Sequence, residues 1–336
     1  MSITVTEADR DELEKWDRYV DRSPQGGVFH QLSALRAQAE YAGADLRPLV
    51  GYKGQEPVGI FPIFELRKGP IPLAFSPPPD LRISYLGPGL LNMDKMKRRK
   101  AERRHRRFVD GCLEWVENEI GPWYAHVRTV ADYPDLRPFL WDDCDVTPNY
   151  TYLVDLTLEE DDLLMTFSRD ARSNVTGDYD TEYAIEIGGR EGVRDIVRQV
   201  RARYESQDET FGVPTDFVLD LYDALPDEQV RPHVLSVDGE FVGGILALHF
   251  GDTVARWQGG VRTDADVDLP INDLLDFAVM RDGMEADLSW YDLVGADNPR
   301  INRYKSKFNP ELRPFHRIEA GSRPVIELAH AYKQLK

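Results

Sequence analysis

Cysteine is scarce. Two residues, Cys112 and Cys144, stand in a chain of 336, too few for a disulfide framework or a cysteine-rich zinc site. Lysine is scarce too: ten Lys accompany 31 Arg, and both are outnumbered by 36 Asp and 23 Glu. Long apolar runs are missing, since none approaches the roughly 18 residues a membrane span needs. The first residues lack the basic and apolar regions of a secretory signal, so a cytoplasmic location is expected. The seven histidines have no metal-ligand spacing, and no Gly-x-Ser-x-Gly elbow, Walker loop or dinucleotide fingerprint occurs. Asp142-Asp143-Cys144-Asp145 reads as a solvated loop in an Asp-rich chain, and no metal is expected.

What is present suffices for a folded core. Hydrophobic residues make up 42% and aromatic residues 10%, which argues against disorder. The length gives one large domain or two ordinary ones. The net charge is −18 and the pI is near 4.9. Two readings account for an Asp excess with few lysines: adaptation to a salt-rich cytosol, where screening is strong, or the residue usage of a GC-rich genome. Either way the acidity speaks of habitat more than of substrate.

Apolar spacing predicts helices over 7–19 (capped by Thr6) and 31–41, and a hairpin of strands 46–52 and 58–66. A proline-rich stretch, 69–89, reads as an ordered loop or two short strands; a long helix over 94–119 and a strand at 123–129 follow. The second half begins with a strand over 150–156 and a two-piece helix over 158–179. Next come a short strand (183–187) and helices at 192–205 and 215–225, the latter capped by Thr215. Strands 233–237, 241–250 and 253–259 form a meander whose turns are Asp238-Gly239 and Gly251-Asp252. A helix (270–282), a strand (290–294), a short helix (298–307), a strand (313–318) and a last helix (325–335) close the chain. The halves follow one plan, which points to an internal duplication.

Four sets of residues carry a family resemblance. They are Trp16-Asp17-Arg18-Tyr19-Val20 with Val28-Phe29-His30-Gln31; Tyr152-Leu153-Val154-Asp155-Leu156 with Phe167-Ser168-Arg169-Asp170-Ala171-Arg172-Ser173-Asn174; Val242-Gly243-Gly244-Ile245; and Tyr291-Asp292-Leu293-Val294-Gly295-Ala296 with Ile301-Asn302-Arg303-Tyr304-Lys305-Ser306-Lys307-Phe308-Asn309. In this order the chain resembles the Fem-type aminoacyltransferases and their acyltransferase relatives. The resemblance implies an α/β (α+β) fold of two tandem GNAT-like domains with mixed, mostly antiparallel sheets, here divided as 1–145 and 146–336. It also implies transfer of an acyl or aminoacyl group to an amine of a cell-surface glycan, glycolipid or peptide precursor. The donor would be aminoacyl-tRNA or acyl-CoA, the acceptor a small-molecule or lipid-linked substrate, with no bound cofactor.

Lys305 stands out because no lysine occurs from 101 through 304. A compact ammonium suits an oxyanion or a phosphate, and the resemblance makes this lysine the group that stabilises the transferred carbonyl. Asn302, Tyr304 and Lys307 would line the same substrate channel. Asn309 stands where the family has glycine, and Asn tolerates the left-handed conformation. The bland reading of the lysine pair is a solvated helix end. Asp292, at a predicted strand end, would orient or deprotonate the acceptor amine; otherwise it caps a turn or pairs with Arg300 or Arg303. Arg169 and Arg172 share a helix face and, with Ser173 and Asn174, would hold phosphate; the alternative is pairing with Asp170 or Asp178.

Trp257-Gln258-Gly259-Gly260 marks the place of a cofactor turn, and Trp257 and Gln258 are taken as substrate-binding residues. The following Asp264, Asp266 and Asp268 oppose an anion there, so acyl-CoA is disfavoured. Gly87-Pro88-Gly89, its counterpart in the first half, is also a poor phosphate cradle, because proline donates no N–H.

Residues 95–107 carry a charge of +8, leaving −26 for the rest of the chain. Arg103, Arg104, Arg106 and Arg107 on this basic helix are nucleic-acid-binding candidates, in keeping with a tRNA donor, although the charges are expected to run round the helix and not along one stripe. A projecting, solvated helix is the plainer alternative. Two further hypotheses stand beside the enzyme: a binding or scaffold protein on the same fold, and an RNA-binding factor using the basic helix.

Overall fold

The computed structural model describes residues 2–262 and 266–334, and side chains are described as far as residue 331. The chain divides into two compact units, 1–149 with 314–336, and 150–313. In the sequence-based division, 314–336 stand with the second domain. The structure joins them to the first unit because the strand Glu311–Gly321 pairs antiparallel with a first-unit strand, Ile318 opposite Val127.

The first unit begins with β1 (Thr4–Glu7), α1 (Arg10–Leu13) and α2 (Trp16–Arg22). The helix expected over 7–19 is thus broken in two and starts later. Thr6 is held in β1 by pairing opposite Val50, and Asp9 is the cap, accepting from the Glu12 N–H at 2.9 Å. After α3 (Leu32–Ala42), β2 (Asp45–Lys53), β3 (Glu56–Lys68) and β4 (Ile71–Ser76) form an antiparallel meander. Short β5 (Gly89–Leu90) pairs with β3, so the proline-rich stretch resolves into two strands and a loop. Helix α4 (Arg98–Glu119) then crosses back to β6 (Tyr124–Arg128), which runs parallel to β4, and α5 (Arg137–Trp141) follows. Gly51 and Gly59 leave the slot into which Phe108 of α4 packs: a Cβ at either would stand 2.4–2.5 Å from the ring. Leu49, Phe61, Val109, Cys112, Val116 and Phe139 complete this core.

The unit boundary falls within β7 (Asp145–Asp155). The second unit continues through α6 (Glu160–Thr166), α7 (Arg169–Thr176), β8 (Tyr183–Ile187), α8 (Arg190–Glu205) and α9 (Thr215–Ala224). Helix α9 has no side-chain cap, and Pro214 rather than Thr215 precedes its first turn. The meander β9 (Val230–Val237), β10 (Glu240–Phe250) and β11 (Thr253–Val261) is antiparallel. Gly244 lets α8 approach, since a Cβ there would meet Ile196 at 2.5 Å and the His233 carbonyl at 2.8 Å. Helix α10 (Ile271–Glu285) leads to β12 (Trp290–Asp292), parallel to β11 and antiparallel to β7, and then to α11 (Pro299–Lys305). The strand 311–321 is β13, and the terminal helix Arg323–Gln334 is α12.

The duplication read from the sequence is a repeated strand plan. In the first unit the order is β1-β2-β3-β4-β6-β13; in the second it is β8-β9-β10-β11-β12-β7. Each has a meander, a crossover helix, one parallel pair, and a last antiparallel strand borrowed from elsewhere in the sequence.

Candidate functional site

In the second unit, β11 and β12 are paired for three residues only, ending at Ala255 opposite Asp292. Beyond that point the chain after β12 follows β7: the Leu293 and Ala296 N–H groups donate to the Tyr152 and Tyr150 carbonyls at 2.9 and 2.7 Å. Strand β11 runs on to Val261 without it. The two parallel strands therefore part, and the gap opens between Arg256 on one side and Val294–Gly295 on the other. The expected strand 290–294 stops at Asp292 because Val294 (φ +53°) and Gly295 (φ +84°) are left-handed. For a β-branched valine that conformation is costly.

Lys305 and Asp292 hold that turn. The buried Lys305 ammonium donates to the Val294 and Gly295 carbonyls at 2.8 and 2.7 Å. Asp292 accepts from the Thr151 hydroxyl at 2.5 Å and from the Val294 N–H at 2.7 Å, and the Thr151 oxygen accepts from the Gly295 N–H at 3.0 Å. Asp292 thus caps a turn, as its plainer reading had it. Lys305 is no solvated helix end. Burial first, then the charge of Arg256, lowers its pKa to about 8, against the opposing pull of Asp276, Asp292 and Asp297.

Behind the turn lies a hub absent from the sequence analysis. Asp276 of α10 is fully buried and accepts from Arg256 Nε (2.9 Å), the Tyr291 hydroxyl (2.5 Å) and the Tyr304 hydroxyl (2.5 Å). Burial and the Asp276 charge push both phenols well above their ordinary range. One turn earlier, buried Asp273 accepts from Asn174 Nδ2 at 2.6 Å and pairs with Lys307, whose ammonium also lies 4.2 Å from the centre of the Tyr304 ring. Asn309 takes the left-handed conformation (φ +52°) that glycine would supply. Asn302 donates to the Ala296 carbonyl, while its Oδ1 is buried with no partner among the described residues.

Six of the sequence-selected residues, Asn174, Asp292, Asn302, Tyr304, Lys305 and Lys307, are therefore joined through α10, β12 and α11. Arg169 and Arg172 stand on α7, which packs against α10. Arg169 is exposed, and Arg172 is half-buried with Nη1 3.3 Å from the Met165 sulfur. Among the described residues neither pairs with Asp170, which accepts from Ser168, or with Asp178. Trp257 turns the other way and packs edge-on against Phe217 of α9, so it belongs to the core. Gln258 is half-buried on β11.

The expected cofactor turn offers no anion cradle among the described residues; Asp264 lies outside them. The first turn of α10 holds the Asp273 carboxylate, with Asp266 and Asp268 just before it. The Gly259 and Val261 carbonyls of β11 accept from Arg203 and Gln199 of α8, at 3.1 and 2.7 Å.

In the first unit the basic helix is more ordered than its sequence suggests. Arg104 is buried and forks onto Glu56 at 2.8 and 3.2 Å. Arg106 pairs with Asp110 and lies 4.8 Å over the exposed Trp141 ring. Arg99, Lys100, Arg103, Arg106 and Arg107 are all exposed. Buried Arg104, His105, Phe108, Val109 and Cys112 take the inner face, so these other charges form one outward stripe. No described helix is long and apolar enough to cross a membrane, and no described His, Cys, Asp and Glu cluster has the makings of a metal site.

Residues 167–306 match the model of the acetyltransferase (GNAT) domain. The chain has the tandem GNAT fold. FemX is similar over 93% of this chain and 96% of its own, with a TM-score of 0.73 at 13% identity. L-PGS from Bacillus licheniformis covers 96% of both chains with a TM-score of 0.58 at 14% identity. A tandem GNAT protein from the clavulanic acid biosynthesis pathway covers 96% of this chain and 99% of its own, with a TM-score of 0.53 at 13% identity. At these identities the likeness is one of fold, and in fold the Fem-type resemblance holds. No curated protein sequence matches the chain significantly.

Proposed function

We propose that the chain is an acyltransferase in which an acceptor amine attacks an activated acyl or aminoacyl carbonyl in the second unit, with no covalent enzyme intermediate. The parting of β11 and β12 beside a buried network of charged groups carries this reading. A gap between parallel strands exposes backbone to a substrate, and fixed charges in low dielectric are what a carbonyl developing negative charge needs. Lys305 supplies that charge and, with Asp292, keeps the Val294–Gly295 turn in place; Arg169 and Arg172 hold phosphate of the donor or of a linked acceptor. Rate comes from positioning and electrostatics.

Aminoacyl-tRNA is favoured over acyl-CoA as donor. Asp266 and Asp268 before α10 and Asp273 in its first turn put negative charge where a pyrophosphate would dock. The acceptor is an amine of a surface glycan, glycolipid or peptide precursor, and the acidic surface suits a salt-rich cytosol. The test is a donor panel in molar KCl. Labelled acyl-CoAs and charged tRNAs meet lipid and glycan extract, with Lys305→Ala alongside. Lys305-dependent transfer from tRNA is expected. Transfer from acyl-CoA alone overturns the donor, and no transfer from either overturns the enzyme in favour of a binding protein.

A further inference from the structure

The first unit contains a second charged site, independent of the acyl-transfer reading. A cavity of about 280 Å³ lies against α4 and the β2–β3 hairpin, lined by Ile3, Lys53, Lys100, Arg103, Arg104 and Arg107. Of these cations Arg104 is held in a forked pair with Glu56. Among the described residues Lys53, Lys100 and Arg103 make no ion pair, in a chain with 59 acidic residues. On the rest of α4, Arg98 pairs with Glu102 and Arg106 with Asp110. Like charges gathered around a hollow repel one another, and an anion among them relieves that repulsion. The Arg104–Glu56 fork fixes one wall. Glu56 is held below the usual carboxylate range by that hydrogen bond and by the Lys53 and Lys100 charges, so it stays ionised and keeps Arg104 in place.

We propose that this pocket is a phosphate-binding site for a phosphoester, taken from a lipid headgroup or from a soluble phosphate compound. Guanidinium forks and ammonium point charges converging from two elements match phosphate oxygens. The concavity and its size limit the ligand to a phosphate or diphosphate group and what is attached to it.

The test uses the full chain and inorganic pyrophosphate, titrated by calorimetry at low ionic strength. One saturable site is expected, weakened at least about tenfold by Lys100→Ala/Arg103→Ala and changed less than about twofold by Arg106→Ala, which removes a charge from the same helix outside the pocket. Both variants alter exposed side chains, and their melting curves confirm that they remain folded. Sedimentation with phosphatidylglycerol–phosphatidylcholine vesicles separates the sources. Vesicle binding displaced by pyrophosphate assigns the lipid headgroup; pyrophosphate binding without vesicle binding assigns a soluble phosphoester. Absence of saturable pyrophosphate binding overturns the proposal. So does an equal loss in Arg106→Ala, which would make the effect diffuse attraction. RNA capture that survives Lys100→Ala/Arg103→Ala, without pyrophosphate binding, would overturn it as well and give the helix to RNA.

Discussion

The two units share a strand plan yet distribute charge differently. The second buries it: Asp276, Asp273, Lys305 and Arg256 lie beneath the gap between β11 and β12, each with its partners in place. The first buries Arg104 and Glu65 in separate ion pairs and places the rest of the α4 charge outside, where the exposed face of that helix carries a row of cations. Buried charges are expensive and persist only when hydrogen bonds satisfy them. Exposed like charges cost little, and salt screens them. The same fold thus offers a rigid interior network suited to chemistry in one copy and a surface suited to recognition in the other.

The comparison breaks most visibly at Asp276. Asp276→Asn removes the buried charge partner of half-buried Arg256 and disturbs two tyrosine hydroxyls. A loss of about 3–5 kcal/mol is expected, read as a fall in denaturation midpoint. A loss below about 1 kcal/mol would show that the hub is solvated and that the contrast between the units is false.

Next in size is Lys305→Ala. Removing a fixed positive charge beside a developing oxyanion costs about 10²–10³ in turnover. The variant also frees the Val294–Gly295 turn, so its melting temperature falls. Lys305→Arg separates the two effects: it keeps the charge, but its planar fork cannot reproduce an ammonium lodged between two carbonyls, so activity stays low. Recovery of activity in Lys305→Arg would show that charge alone is needed.

The lowered pKa of Lys305 gives a prediction with two opposite signs. The charged form is lost in the folded protein as pH rises through about 8, so turnover falls above that pH. Stability moves the other way. Between about 8 and the ordinary lysine value of 10.5 the unfolded chain binds more protons at this site than the folded one, so this group adds stability as pH rises across that window. A Lys305→Ala variant lacks both trends. Parallel pH profiles for the parent and the variant would remove Lys305 as their source.

Much of this architecture is legible in the sequence, for identifiable reasons. The meander turns announce themselves through Asp238-Gly239, both at positive φ, and the isolated position of Lys305 in a lysine-poor chain singles it out. The hub is harder to see. In a chain with 36 Asp, Asp273 and Asp276 look like two more surface carboxylates. The available signal is their spacing: they lie three apart on a helix whose other positions, Leu274, Leu275, Phe277 and Val279, are apolar and buried. A helix apolar on all sides is a core helix, and carboxylates inside one require partners. Trp257 misleads for the converse reason, because its ring, read as part of a cofactor turn, packs edge-on against Phe217 of α9. The return of β13 to the first unit depends on long-range pairing, which local periodicity does not encode.

The smallest expected effect sharpens the contrast from the first unit. Lys100→Ala/Arg103→Ala removes two exposed cations that have no ion pair among the described residues. In the second unit, loss of a charged side chain strands a buried partner. Here it relieves repulsion among neighbours, so stability should hold within about 0.5 kcal/mol, with any change a gain. That gain should fade in molar salt, where the Debye length shrinks to about 3 Å. A melting experiment at two KCl concentrations reads it directly. A loss of more than about 1 kcal/mol at either concentration would mean that these cations support the fold, which would remove the structural reason for giving their pocket a ligand.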